Sequence, residues 1–405
     1  FAFREATVAL RRAEALSEAP DPELAEMLGD ALLASESIDG AEAAYRTALA
    51  CLGDGRPGGC PLGEAGLWQK LGQCASRRAD PGEALVRCRR GLALIAPGGQ
   101  LLPEAAADPR VAAALYGDLA WILGYILAGD PEGLAAGERA VSLIEGTPYR
   151  RELARALGRL GGAYMRIGRW RDQMTCNARN LQIAEKLGDL DMQLTAHINL
   201  GVVHGLLDEI DRAIEHTQRA VELCYRTGAT PTLGLARCNL GGLLLERGEL
   251  ALAAEQLDEG IRLGERTGTR YILPEAYGFT ARLRLSAGDL VGAELAARRA
   301  LELARAARAS IDIGIAARLV AAVVARGDRF DEAEELFAES RQQLAGTDPF
   351  EAARTAAAEA RFLARRGRSG DLARTAALRQ RAVEELERLG ARRELALLDD
   401  LDAVR

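Results

Sequence analysis

Apolar residues recur along this chain at i, i+3, i+4 spacing, in blocks separated by a glycine or aspartate, which predicts amphipathic helices joined by tight turns. The stretch NLGVVHGLLDEIDRAIEHTQRAVEL from Asn199 and the stretch NLGGLLLERGELALAAEQLDEGIRL from Asn239 carry one pattern 40 residues apart. Aligned on the Leu-Gly pair, the step continues unbroken through Gly161, Gly201, Gly241, Ala281, Ala321 and Arg361. A second comb reads Gln173, Ala213, Ala253, Ala293, Ala333 and Ala373, and a third reads Asn180, Ala220, Gly260, Ala300, Ser340 and Gln380. Between the first two slots sits a breaker: Gly168, Asp208, Gly248, Gly288, the pair Gly327 and Asp328, and Gly367. One period is therefore helix, turn, helix. Small residues at fixed slots let antiparallel helices cross closely, where a larger side chain overpacks the contact.

Trp68, Leu71, Gly72 and Ala84 follow the order W-x-x-L-G and then Ala, as do Leu28, Gly29, Ala41, Tyr45 and Ala48, and Tyr164 follows Gly161 in the aromatic slot. The pattern resembles the tetratricopeptide repeat in its longer-helix form, as in kinesin light chains and in the carboxyl-terminal arms of bacterial signalling ATPases, kinases and LuxR-type regulators. The resemblance spans about residues 20 to 390. It implies an all-α fold, a right-handed α-α superhelical solenoid of about nine helix pairs. Three segments are expected: irregular repeats with two Gly/Pro-rich loops over 1–150, regular repeats over 151–390, and a capping helix over 391–405, where ARRELALLDDLDAVR closes the last apolar surface. The loops, Gly53 to Ala65 and Ala96 to Arg110, read as spacers projecting from one edge.

Composition narrows the function. Aromatics are only 4% and the net charge is -7, so the chain does not bind nucleic acid through bulk charge. Lysine occurs only at Lys70 and Lys186, neither after a glycine, which excludes a P-loop. Seven cysteines without a C-x-x-C pair read as reduced, mostly buried thiols of a cytoplasmic protein. No run reaches the roughly 18 apolar residues of a membrane span. The bias to arginine fits a GC-rich bacterial source. A chain opening at Phe1 reads as a piece of a longer protein, with a kinase, ATPase or DNA-binding domain upstream in cis.

Catalytic constellations are weak. Gly53, Gly55 and Gly58 spell G-x-G-x-x-G, but after a predicted helix and around Pro57, which is the wrong context for a dinucleotide. The carboxylates Asp208, Glu209, Asp211 and Glu215 complement a helix start. His197, His204 and His216 fall in one repeat and read as packed helix histidines, so no metal and no cofactor is expected. The basic stretch RFLARRGRSG from Arg361 reads as a solvated end.

The resemblance places the first helix of each pair on the concave face. Side chains beside the Leu-Gly slot are then the candidate peptide-binding groove: Gln69, Lys70, Gln73, Arg77, Arg155, Arg159, Arg166, Asn199, Asn239, Glu246 and Arg282. Arginine forks pair with carboxylates, and asparagine can bond both N–H and C=O of an extended backbone. The expected function is a non-enzymatic scaffold holding a protein or peptide, an acidic or extended segment, in this groove. The alternative is an arm that senses a ligand or signalling peptide and regulates an attached domain.

Overall fold

The computed structural model describes residues 2–17, 19–35, 37–53, 60–78, 80–127 and 130–399, without the side chains of 2–4 and 399. Gly55, Pro57 and Gly58 of the glycine motif, and the tail beyond 399, lie outside the described residues.

All described elements are helical. After α1 (Ala2–Leu16) come the pairs α2 (Pro22–Ala34) with α3 (Ile38–Leu52) and α4 (Pro61–Arg77) with α5 (Pro81–Ile95). The short α6 (Pro103–Ala107) precedes α7 (Arg110–Leu119), which is followed by α8 (Pro131–Ile144). Next are α9 (Arg150–Arg166) and α10 (Trp170–Leu187), then α11 (Leu190–Leu206) with α12 (Ile210–Thr227), and α13 (Thr230–Arg247) with α14 (Leu250–Thr267). The array ends with α15 (Leu273–Ser286) and α16 (Leu290–Ala307), α17 (Ser310–Arg326) and α18 (Phe330–Leu344), α19 (Pro349–Arg366) and α20 (Asp371–Leu389), and finally α21 (Arg392–Asp399). The chain forms two compact units, 1–163 and 164–405, which divide within α9.

The turn chemistry follows the sequence. Gly168, Gly248, Gly288 and Gly367 take positive φ, and where the breaker is not glycine an aspartate does so: Asp208 at φ 63° and Asp328 at φ 59°. Aspartate tolerates this region better than most side chains because its short polar group bonds locally. A second comb ends the other helix of each pair at Gly188, Gly228, Gly268 and Arg308, all left-handed. At helix starts Asp80, Asp189, Asp289 and Asp348 accept from backbone N–H groups three residues on. Each satisfies a donor that the helix leaves open.

The small-residue slots sit at crossings. A Cβ on Gly241 would lie 2.7 Å from the Leu257 side chain and 3.2 Å from the Ala253 carbonyl. Ala213, Ala253, Ala293 and Ala333 are fully buried, as are Ala220 and Ala300. One expectation is corrected: the segment from Ala96 to Arg110 is not a projecting spacer. It folds into a turn at Pro97–Gly99 and into α6, whose Ala105 is wholly buried, with Leu101 packed on the same core. Its apolar residues are what hold it down.

The second unit closes on itself. Trp170 of α10 and Leu200 and Val203 of α11 share one apolar cluster with Ala353 of α19, Leu386 of α20 and Leu398 of α21. The Trp170 ring meets Phe350 edge-on at 5.2 Å, and Arg166 pairs with Asp348 at 3.2 Å. The last helices thus return to the first, and α21 seals the join.

Candidate binding groove

In the first unit the predicted polar line converges on a residue that sequence reasoning missed, Asp118 of α7. Gln69 Nε2 donates to Asp118 Oδ2 at 2.5 Å, and Arg159 pairs with Oδ1 at 3.3 Å. Burial raises the Asp118 carboxyl, and Arg159, Gln69, Gln73 and Arg155 act against that rise. Just beyond Asp118, α7 widens into a π-helical stretch, Ala120–Ile126, where Trp121 stacks on Tyr125 at 4.2 Å beneath the Arg159 guanidinium. Lys70 is held by Asp30 at 2.7 Å and Glu26 at 2.8 Å, and Arg77 donates to the Leu33 carbonyl at 3.3 Å. These side chains are tied to the array itself. Asp118 carried no signal because its repeat departs from the 40-residue period.

In the second unit Asn239, Glu246 and Arg282 line a cavity of about 210 Å³ on the inner face of the closed array. Phe279 of α15 and Phe350 of α19 supply its apolar wall, and Arg393 and Glu394 of α21 complete it. Asn239 lies one turn from the lining residues Gly242 and Leu243, and Asn199 holds the same register one repeat earlier, one turn from Val202. Both asparagines are half-buried, and neither amide takes a side-chain hydrogen bond among the described residues.

The arginines around this cavity are committed. Arg282 and Arg393 both pair with Glu246, while Arg354 meets Glu351 at 3.0 Å and Glu394 at 3.3 Å. Arg318, behind the wall, reaches Glu351 at 2.5 Å. Burial works to raise the Glu351 carboxyl, yet Arg318 and Arg354 override it and hold it at about 2. Arg282 is lowered to about 10 by burial and by the Arg354 charge. An acidic ligand would have to displace these carboxylates, so the arginine line does not by itself call for one.

The histidines come together. His197 Nδ1 and His216 Nδ1 are 2.9 Å apart, His204 stacks on His216 with centroids 5.2 Å apart, and His204 Nδ1 meets Glu209 at 2.7 Å. Direct Nδ1 contact requires one ring to donate and the other to accept, so the accepting imidazole must be neutral and the pair resists double protonation. Burial, then the neighbouring His216 and Arg219, lower His197 from 6.5 to about 4. A folded-state pKa below the unfolded one gives stability that is present above pH 6.5 and lost as pH falls toward 4. The midpoint of thermal unfolding should drop through that window, and less so in His197→Gln; an equal drop in both would remove the pair as the cause. Among the described residues no three His, Cys, Asp or Glu side chains are arranged to hold a metal ion.

The cysteines are free thiols, with Cys51 and Cys60 exposed and the other five buried. Burial pushes Cys176 and Cys224 up to about 11 and Cys238 to about 12. None of these three is a thiolate at neutral pH.

Stacked antiparallel helix pairs with a polar cavity on their inner face define a helical repeat protein of the tetratricopeptide class. The sequence profile of the MalT-like TPR region matches residues 133–401, and the chain belongs to that family. No curated protein sequence matches it. Among solved structures, a Rap protein complexed with competence and sporulation factor superposes with a TM-score of 0.67 at 14% identity, over 92% of this chain and 99% of that one. Apo RapI gives 0.58 at 13% identity, over 84% of this chain and 92% of that one. A signal transduction ATPase with a tetratricopeptide repeat sensor from Pyrococcus horikoshii gives 0.53 at 13%, over 73% of this chain and 43% of that one. At these identities the likeness is one of fold. No helix among the described residues is long and apolar enough to cross a membrane.

Proposed function

We propose that this chain is a non-enzymatic peptide- or protein-binding repeat module, and that the cavity of its second unit is where the partner segment sits. The observation that carries this is the pair of uncommitted amides, Asn199 and Asn239, one repeat apart beside an aromatic-walled cavity. Each can give an N–H and accept with a C=O, which is what an extended backbone needs at successive residues. Two similar folds support the reading, a Rap protein complexed with competence and sporulation factor and a Rap conjugation gene regulator in complex with the Phr* peptide. It is tested by screening an immobilised hexapeptide library with the wild type and with Asn199→Ala/Asn239→Ala. Each amide is expected to contribute about 1 kcal/mol, so hits should weaken by roughly ten- to thirtyfold. Equal retention by the double variant would overturn the site.

A sensor role is favoured by one further observation. Arg393 and Glu394 belong to α21, so an occupant of the cavity acts directly on the helix that seals the unit. A ligand that binds the sealed and opened forms unequally shifts their balance, and an attached signalling domain in cis would read that shift.

A further inference from the structure

The cavity wall presents five carboxylates and three guanidiniums. All three guanidiniums are spent on Glu246, Glu351 and Glu394. The remaining two carboxylates, Asp208 at the turn before α12 and Glu275 on α15, both line the cavity and both reach solvent, and of the two it is Glu275 that shares a helix face with the Phe279 ring of the cavity wall. Glu275 takes no hydrogen bond or ion pair among the described residues. It lies in the first turn of α15, where a negative charge favours the helix dipole, but it makes no capping hydrogen bond there.

We infer that this cavity recognises a cationic group, a primary amine or guanidinium carried by a bound peptide, by pairing it with Glu275 against the Phe279 ring. The inference rests on the peptide-binding reading above and names the chemistry of its central contact. Phe279 follows Glu275 by one turn on the same helix face. It packs flush on α13 because Gly242 lies beneath it; a Cβ there would meet the ring at 2.7 Å. A carboxylate beside an aromatic face is the usual setting for an ammonium or guanidinium, which draws on both.

The charges facing Glu275 all leave that place open to a cation. From α13 come Cys238, Asn239 and the already paired Glu246; from α17 comes Asp312, and from α19 Glu351. On its own helix, Arg282 is turned to Glu246. Glu265 of α14 and Arg299 of α16 act on Tyr277, two residues along and on another face of α15. Glu275 is open to the water of the cavity but ringed by protein. That partial desolvation, with the Asp312 and Glu351 charges, lifts its carboxyl to about 7. A cation must therefore displace a proton near neutrality. If only the carboxylate binds, affinity should rise about tenfold from pH 6 to pH 8, the ratio of ionised fractions for a group titrating near 7.

The test is calorimetric titration of the full chain with blocked pentapeptides, acetyl-Ala-Ala-X-Ala-Ala-amide with X as Lys, Arg, norleucine or Glu, alongside butylammonium and agmatine. The Lys and Arg peptides should bind at least about tenfold tighter than the norleucine and Glu peptides, the worth of one charge-assisted contact. Glu275→Gln should abolish both that preference and the pH dependence. This variant removes a like charge from the cavity, so its fold should be kept. Equal binding of all four peptides would overturn the cation inference and leave the peptide site standing. Amines that bind the wild type and not Glu275→Gln, with no peptide binding, would uphold the cation site and overturn the peptide reading. No binding by any probe overturns the inference.

Discussion

Gly260→Ala is expected to lower the unfolding free energy of the chain by about 3 kcal/mol, the upper end of the range for one added methyl in a packed interior. Gly260 sits on α14 where it crosses α13, and a Cβ there would lie 2.5 Å from Cys238 Sγ and 3.0 Å from both the Cys238 nitrogen and the Gly234 carbonyl oxygen. A sulfur can swing aside, but the backbone atoms of α13 cannot move without displacing the whole helix. The two neighbouring repeats carry Ala220 and Ala300 at this slot, each fully buried, so the slot there accepts a methyl. What differs here is the approach of the two helices, set by Gly234 and Gly260 facing one another. Gly66→Ala is the control, because its added Cβ would meet only a Val111 methyl at 3.8 Å. There the better helix propensity of alanine should stabilise by up to about 1 kcal/mol. Urea unfolding of both variants decides the matter, and a Gly260→Ala midpoint at or above the wild-type value would show that the crossing has slack.

The repeat was legible because its signals are backbone constraints. Positive φ selects Gly or Asp at 168, 208, 248, 288 and 328, and close crossings select small residues at 201, 241 and 281, so each leaves one residue type at one spacing. The second turn comb was harder to read because one of its members, Arg308, is a long side chain in left-handed backbone. Of the groove, the sequence placed Asn239, Glu246 and Arg282 on a common wall, but not their partners. Arg159 finds Asp118 from 41 residues away, and Glu246 is met by Arg393 from the far end of the chain. The first pair joins neighbouring repeats where the period is irregular, and the second depends on how the second unit closes, which the period of one repeat does not encode. Glu275 carries no signal in the sequence. It stands outside the Leu-Gly slot, and its lack of a partner appears only when every neighbouring arginine has been accounted for.

Ending the chain after Gly390 should destabilise the second unit by about 3 kcal/mol, from roughly 1.5–3 kcal/mol for the buried Leu398 and a smaller share for the partly buried Leu395. Leu398 is wholly buried, and Leu395 packs on the cluster that joins α10 and α11 to α19 and α20. Arg361 also loses its hydrogen bond to the Leu397 carbonyl, at 2.9 Å, and Glu246 loses one of its two arginines. In an array where each pair contacts only its neighbours, removing an end piece costs one interface. Here α21 also belongs to the apolar cluster that joins the first and last helices of its unit and pairs with α13 through Arg393 and Glu246, so its loss should loosen that closure as well as the end of the array. Two readouts separate closure from simple capping. Hydrogen exchange should accelerate in α10 and α11, far from the cut in sequence, and the emission of Trp170 should shift to the red as its cover opens. Faster exchange confined to α19 and α20 would mean that α21 is a terminal cap and no more. If the change reaches α11, the wall that carries Asn199 is mechanically joined to the carboxyl-terminal helix, and an occupant of the cavity has a route by which to move it.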